Sequence, residues 1–207
     1  PLPGPSGELL CADVTRIGPA DCKHVVFVTS ATHGIEGYCG SGIQVGLLTD
    51  PERPIPTDDV ALVLIHALNP YGFAWTRRVN EDNVDLNRNF VDHDGGNYPE
   101  NDLFEIVKDA MIPATLEDAS LAACESMLDA ARLEHGEVTI RKAMHKGQYR
   151  YPRNMAFGGM QATWSNRLLH EVCATHLAAA TTGTLIDLHS GLGPYGYGEL
   201  MTPSLPG

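Results

Sequence analysis

Two short segments carry side chains that could bind a metal ion. In Ala31-Thr-His-Gly-Ile-Glu-Gly37, three-residue spacing lets His33 and Glu36 face one side of a single tight turn. Gly34 and Gly37 keep that turn open to an ion or a substrate. On its own the pattern also fits an ordinary strand-to-helix turn. A second imidazole, His189, ends an apolar run in Asp187-Leu-His189 and adds a ligand from another strand. Two histidines and a glutamate form an open three-ligand zinc set whose fourth position holds water. A metal brings such a water toward a pKa of about 7 and makes it a nucleophile. Asp187 shares the His189 side of the strand and reads either as a partner of that imidazole or as a strand-end carboxylate facing solvent.

Between these segments, Asn69 to Phe90 reads as a long loop rich in arginine and asparagine. Surface solubility is more simply served by lysine and glutamate. Arginine suits holding a carboxylate in a planar fork or stabilising an oxyanion. Other residues have plainer readings. His66 lies inside an apolar run and reads as a core histidine, and Asp92-His-Asp-Gly-Gly96 reads as a polar turn. Ser30 and Ser190 lack the Gly-x-Ser-x-Gly elbow of a serine hydrolase. Trp75, Tyr149, Tyr195 and Tyr197 read as packing or as pocket lining.

These residues need a scaffold, and the apolar pattern supplies one. Lys23–Thr29 and Val60–His66 are short β-branched runs that predict buried strands, and Thr184–His189 is a third strand candidate. Cys39 to Thr49 predicts a helix stopped by Asp50-Pro51, and about Ser165 to Ala180 predicts another. The alternation predicts an α/β fold with a mixed, largely parallel sheet flanked by helices on both faces. From about Thr115 to His145, helical spacing offers Leu116, Leu121, Met127, Leu128, Ala131 and Leu133 as one packed face. Residues 146–164 read as a structured loop.

Composition sets the class. The 207 residues are 43% hydrophobic and 19% charged, enough for a core and unlike a disordered chain. A net charge of -12 repels phosphate backbones and excludes nucleic acid as the expected partner. Five scattered cysteines without a Cys-x-x-Cys pair predict reduced thiols and a cytoplasmic setting. No run is long and apolar enough to predict a membrane span. The Pro1-to-Pro5 opening reads as a joint inside a longer protein, so one incomplete domain over 1–207, with a helical insertion at about 103–146, is the expectation.

Taken together, His33-x-x-Glu36, Asn69-Pro-x-Gly72, Asp85-Leu-Asn-Arg-Asn-Phe90 and Asp187-Leu-His189 resemble the zinc carboxypeptidase family, in the same order along the chain. Asn87 to Asp92, Tyr98-Pro-Glu-Asn101, Gly147-Gln-Tyr149, Trp164-Ser-Asn166 and His189 to Leu200 look like a little-characterised bacterial branch of that clan. The resemblance implies a carboxypeptidase-like fold and zinc held by His33, Glu36 and His189. It also implies that Asn87 and Arg88 grip a substrate carboxylate and that Arg78 takes the oxyanion role, with Arg77 as the alternative. The implied substrate is a peptide or an N-acyl amino acid with a free carboxylate.

Two departures qualify that likeness. The family's general-base glutamate follows the third ligand by some tens of residues, and no residue here occupies that position; Glu199 belongs to the branch's own Gly-Tyr-Gly-Glu pattern. Glu36 and His189 are also 153 positions apart, stretched by the helical insertion. The expected activity is therefore a zinc metallopeptidase. An amidohydrolase of the aspartoacylase or succinylglutamate desuccinylase type and an inactive zinc- or ligand-binding domain are the alternatives.

Overall fold

The computed structural model describes residues 2–52, 56, 58–191 and 193–202. Pro1, in the expected joint, and Leu192, in the motif after His189, lie outside the described residues. Among those described, a four-stranded sheet runs in the order β1 (Asp13–Ile17), β3 (Val60–His66), β2 (His24–Ser30), β4 (Thr182–Leu188). β2 pairs in parallel with both β3 and β4, whereas β1 joins β3 antiparallel. The fold is thus the expected mixed, largely parallel α/β sheet, its parallel part built from the apolar runs and its one antiparallel pairing supplied by β1.

Alternation along β2 assigns the two faces. Val25 and Phe27 face one side, where they pack with Ala61, Val63 and Ile65 of β3 and with Leu169 and Val172 of α6 (Trp164–Leu177). Ser30 faces the other side and meets α1 (Gly37–Thr49), where its hydroxyl donates to the buried Gln44 at 2.8 Å. The α1 helix ends at Asp50, whose amide returns to the Gly46 carbonyl before Pro51 forbids another turn. Helices therefore cover both faces.

Three regions differ from the sequence expectation. β1 is unpredicted: its five residues, Asp-Val-Thr-Arg-Ile, are half polar and largely exposed at a sheet edge, so no apolar run announces them. The Asn69 to Phe90 segment is more ordered than a loop. It contains α2 (Pro70–Ala74), capped by the Asn69 side chain on the Gly72 amide, and a 3-10 turn (Leu86–Arg88) capped by Asp85 on the Asn87 amide.

The third difference concerns the apolar face expected between 115 and 145. α3 (Phe104–Val107), α4 (Asp118–His135) and α5 (Glu137–His145) form a second small core of Phe104, Val107, Ile140 and Ala143, which Leu128 and Ala131 join. Leu116 and Leu133 instead stand in solvent, 86% and 90% exposed, and Leu121 and Met127 are also exposed. The stripe that actually packs is narrower than the periodicity suggests: of these six residues Leu128 and Ala131 join the small core, both in the C-terminal half of α4.

Candidate metal centre

The chain leaving β2 carries the first two candidate ligands. After Ser30 the chain passes through Ala31, whose φ of 59° is rare for an L-residue with a side chain, and turns into the 3-10 segment Gly34–Glu36. His33 precedes that turn and Glu36 closes it. Gly34 is required by contact: a Cβ there would overlap the Gly72 backbone of α2. β4, hydrogen-bonded beside β2, delivers Asp187 and then His189. Parallel pairing brings both strand ends to the same edge of the sheet, where ligands gather in open α/β folds.

Ligand atoms of His33, Glu36 and His189 consequently lie within 4.8 Å of one another, a group that could hold a metal ion. The two imidazoles meet edge to face with ring centroids 5.1 Å apart. Nδ1 of His33 is buried with no hydrogen-bond partner, and the side-chain amide of Asn87 lies 3.1 Å from Nε2. An Nδ2–H of Asn87 donates to Nε2, so an ion taken on Nδ1 requires the amide to turn and present Oδ1 to Nε2–H. Burial pushes the His33 pKa below its ordinary value despite the pull of Asp85, which keeps the ring neutral as coordination requires. The donor set and the orphaned nitrogen fit a divalent cation.

His189 is held differently. Its Nε2 donates to Asp187 Oδ2 at 2.6 Å, since an ionised carboxylate can only accept, and its Nδ1 lies 3.4 Å from Glu36 Oε2. The hydrogen bond to Asp187 raises the His189 pKa against the opposing effect of burial. Burial works against the Asp187 charge too, but hydrogen bonds from His189 and from the Thr29 and Thr32 hydroxyls outweigh it and hold the carboxyl below its usual range. Those hydroxyls donate to Oδ1 at 2.6 and 2.7 Å. Of the two sequence readings of Asp187, the structure shows the partner of the imidazole.

Glu36 accepts from the Ser190 amide at 2.9 Å and from Arg78 Nη1 at 3.1 Å. Arg78 also reaches Asp85 Oδ2 through Nε at 3.3 Å and remains about half exposed, with 49% of its side chain accessible. The Arg77 side chain is exposed beside it. Asp85 is the residue to which sequence reasoning gave no separate role. It is 3% exposed, caps the Asn87 turn, balances Arg78 and lies 4.0 Å from His33 Nδ1. Its place in Asp-Leu-Asn-Arg was the available signal; that one carboxylate serves three neighbours emerges only from the fold.

The structure places the expected carboxylate grip in two directions. Asn87 turns toward His33, while Arg88 donates to its neighbour's carbonyl, Asn87 O, at 3.1 Å and to His145 O at 2.6 Å. Glu199 lines a recess of its own loop with Pro194, Tyr197 and Leu200. A separate recess lined by Leu68, Phe90, Leu169, Cys173 and Leu185 opens beside Asn87 and Asp187. Among the described residues, no helix is long and apolar enough to cross a membrane.

A comparison with curated proteins finds no match. A family model described as a protein of unknown function, DUF2817, matches residues 1–206. By that match over nearly its whole length, the chain belongs to the DUF2817 family.

Proposed function

We propose that this chain is the zinc-binding core of a carboxypeptidase-type metallohydrolase, which cleaves an amide bond next to a free carboxylate of a peptide substrate. The observation that carries the reading is the convergence of His33, Glu36 and His189 within 4.8 Å from two adjacent parallel strands. The likeness of the Asn69, Asp85-to-Phe90 and Asp187-to-His189 motifs to zinc carboxypeptidases supports it further.

Zinc, when bound, supplies Lewis-acid polarisation and an acidified water. The protein's own groups then have separable tasks. Asp187 fixes the proton of His189 on Nε2, and the Ser190 amide orients Glu36. The Arg78 guanidinium, half exposed beside Glu36, presents its uncommitted N–H groups where an oxyanion would develop. Arg88 offers its uncommitted N–H groups to the substrate carboxylate. Asp85 and Asp187 are both engaged, so neither serves as the proton acceptor.

The test is metal analysis followed by assay. The chain should take up about one zinc ion, as expected for a single three-ligand site. His33→Ala and His189→Ala should each abolish uptake. Hydrolysis of blocked dipeptides with a free C-terminal carboxylate supports the peptidase reading. Turnover of N-acyl amino acids alone replaces it with the amidohydrolase, and full zinc retention in either variant removes the ligand assignment.

A further inference from the structure

Arg88 is gripped by a segment far from the sheet. Its Nη2 donates to the His145 carbonyl, the last residue of α5, at 2.6 Å. Cations are favoured at a helix C-terminus, where carbonyl groups lack partners within the helix. Gly147 follows two residues later with φ of 90° and packs directly on the arginine stem: a Cβ there would overlap Arg88 Cδ and come within 2.8 Å of Nε. That Nε is itself buried without a partner. Asn101 pins the same loop by donating from Nδ2 to Ala143 O at 2.9 Å and to Gly147 O at 2.8 Å. The loop also holds the Arg88 backbone, whose carbonyl accepts from the Tyr149 hydroxyl at 2.6 Å.

We propose that the helical segment around α5, rather than the sheet, positions Arg88 for a substrate carboxylate, with Gly147 as a positioning residue. This rests on the carboxylate role of Arg88 proposed above. The two protein contacts take one N–H from each terminal nitrogen and leave one on each uncommitted. The stem's path past Gly147 decides where those remaining donors point. An alanine at 147 leaves the flexible arginine as the group that must yield, so its first effect is to displace the guanidinium. The helical segment thereby becomes a determinant of which carboxylates are accepted, not merely a flank of the fold.

The experiment measures binding of N-acetyl-L-phenylalanine and of its amide, which has no carboxylate, to the zinc-loaded 207-residue chain by calorimetry. The wild type should prefer the acid by about tenfold or more, the scale of a charge-assisted contact, and Arg88→Ala should lose that preference. Gly147→Ala should lose most of it as well, with zinc content and amide binding unchanged. Gly136→Ala is the control. Gly136 has a similar φ of 84° on the same helical segment, but nothing lies within 4 Å of an added Cβ, so this variant should keep the preference. Asn101→Ala loosens the loop without a clash and should weaken acid binding even if Gly147→Ala fails to fold. Wild-type discrimination in both Gly147→Ala and Asn101→Ala overturns the positioning role alone. Absence of any acid preference in the wild type overturns the carboxylate role of Arg88 and this inference with it.

Discussion

Asp187 receives Nε2–H of His189 at 2.6 Å, and this turns Nδ1 of the same ring toward Glu36, 3.4 Å away. One carboxylate thus decides both the tautomer and the orientation of an imidazole in the group that could hold a metal ion. Removing such a partner commonly lowers metal affinity by about 10- to 100-fold. Asp187→Ala should therefore weaken zinc binding by that order in competition with a chromophoric chelator. An unchanged affinity would mean that β4 alone fixes the ring.

Zinc should stabilise the fold by binding the native arrangement. At free zinc of about 100 times its dissociation constant, linkage gives about 2.7 kcal/mol. Thermal unfolding with and without a chelator should show this as a higher midpoint in zinc, and His189→Ala should unfold at the same temperature in both conditions. A zinc-dependent shift surviving in that variant points to a different site.

Gly34 provides a test of packing. Its Cα faces the backbone of Gly72, which cannot move aside as a flexible side chain does. Gly34→Ala should destabilise the chain by at least the roughly 1 to 3 kcal/mol typical of overpacking. Denaturant titration measures the loss, and zinc uptake should fall in parallel because His33 adjoins the displaced turn. Wild-type stability in this variant would show that α2 can retreat.

A pH effect follows from the other end of the sheet. His176 Nδ1 lies 3.0 Å from Arg16 Nη1, and burial followed by that positive charge pushes the His176 pKa below its ordinary 6.5. Below about pH 6.5 the unfolded chain therefore takes up this proton before the folded one does. Stability should fall as pH drops from 6.5 toward the lower folded-state value, and be independent of this group above 6.5. His176→Gln should flatten that part of a stability-against-pH curve; an identical slope would assign it to other groups.

The central strands and the meeting of His33, Glu36 and His189 in a group that could hold a metal ion were legible because each rests on a local rule. β2, β3 and β4 are apolar runs, and His33, Glu36 and His189 sit where such runs stop. What stayed hidden depends on neighbours. Leu133 keeps helical spacing but has nothing packed against it at 90% exposure, since periodicity counts apolar residues without knowing how far a facing helix extends. Asp85 could be seen as part of a motif, whereas its simultaneous reach to Arg78 and the Asn87 amide requires the turn to exist. Arg88 reads from sequence as free to meet a ligand, yet His145, 57 residues later, supplies its nearest acceptor.

The neighbouring placement of β2 and β4 has a consequence beyond chemistry. Glu36 and His189 are 153 positions apart, so an ion shared between them closes a very long loop in the chain. The entropy of loop closure grows only slowly with length, but it is greatest for such distant ends. A metal clip there would restrain β4 against fraying from β2 more than its backbone hydrogen bonds alone do. Amide protons of β4 would then exchange more slowly with an ion bound, making such an ion also the fastener of the strand that leads into His189.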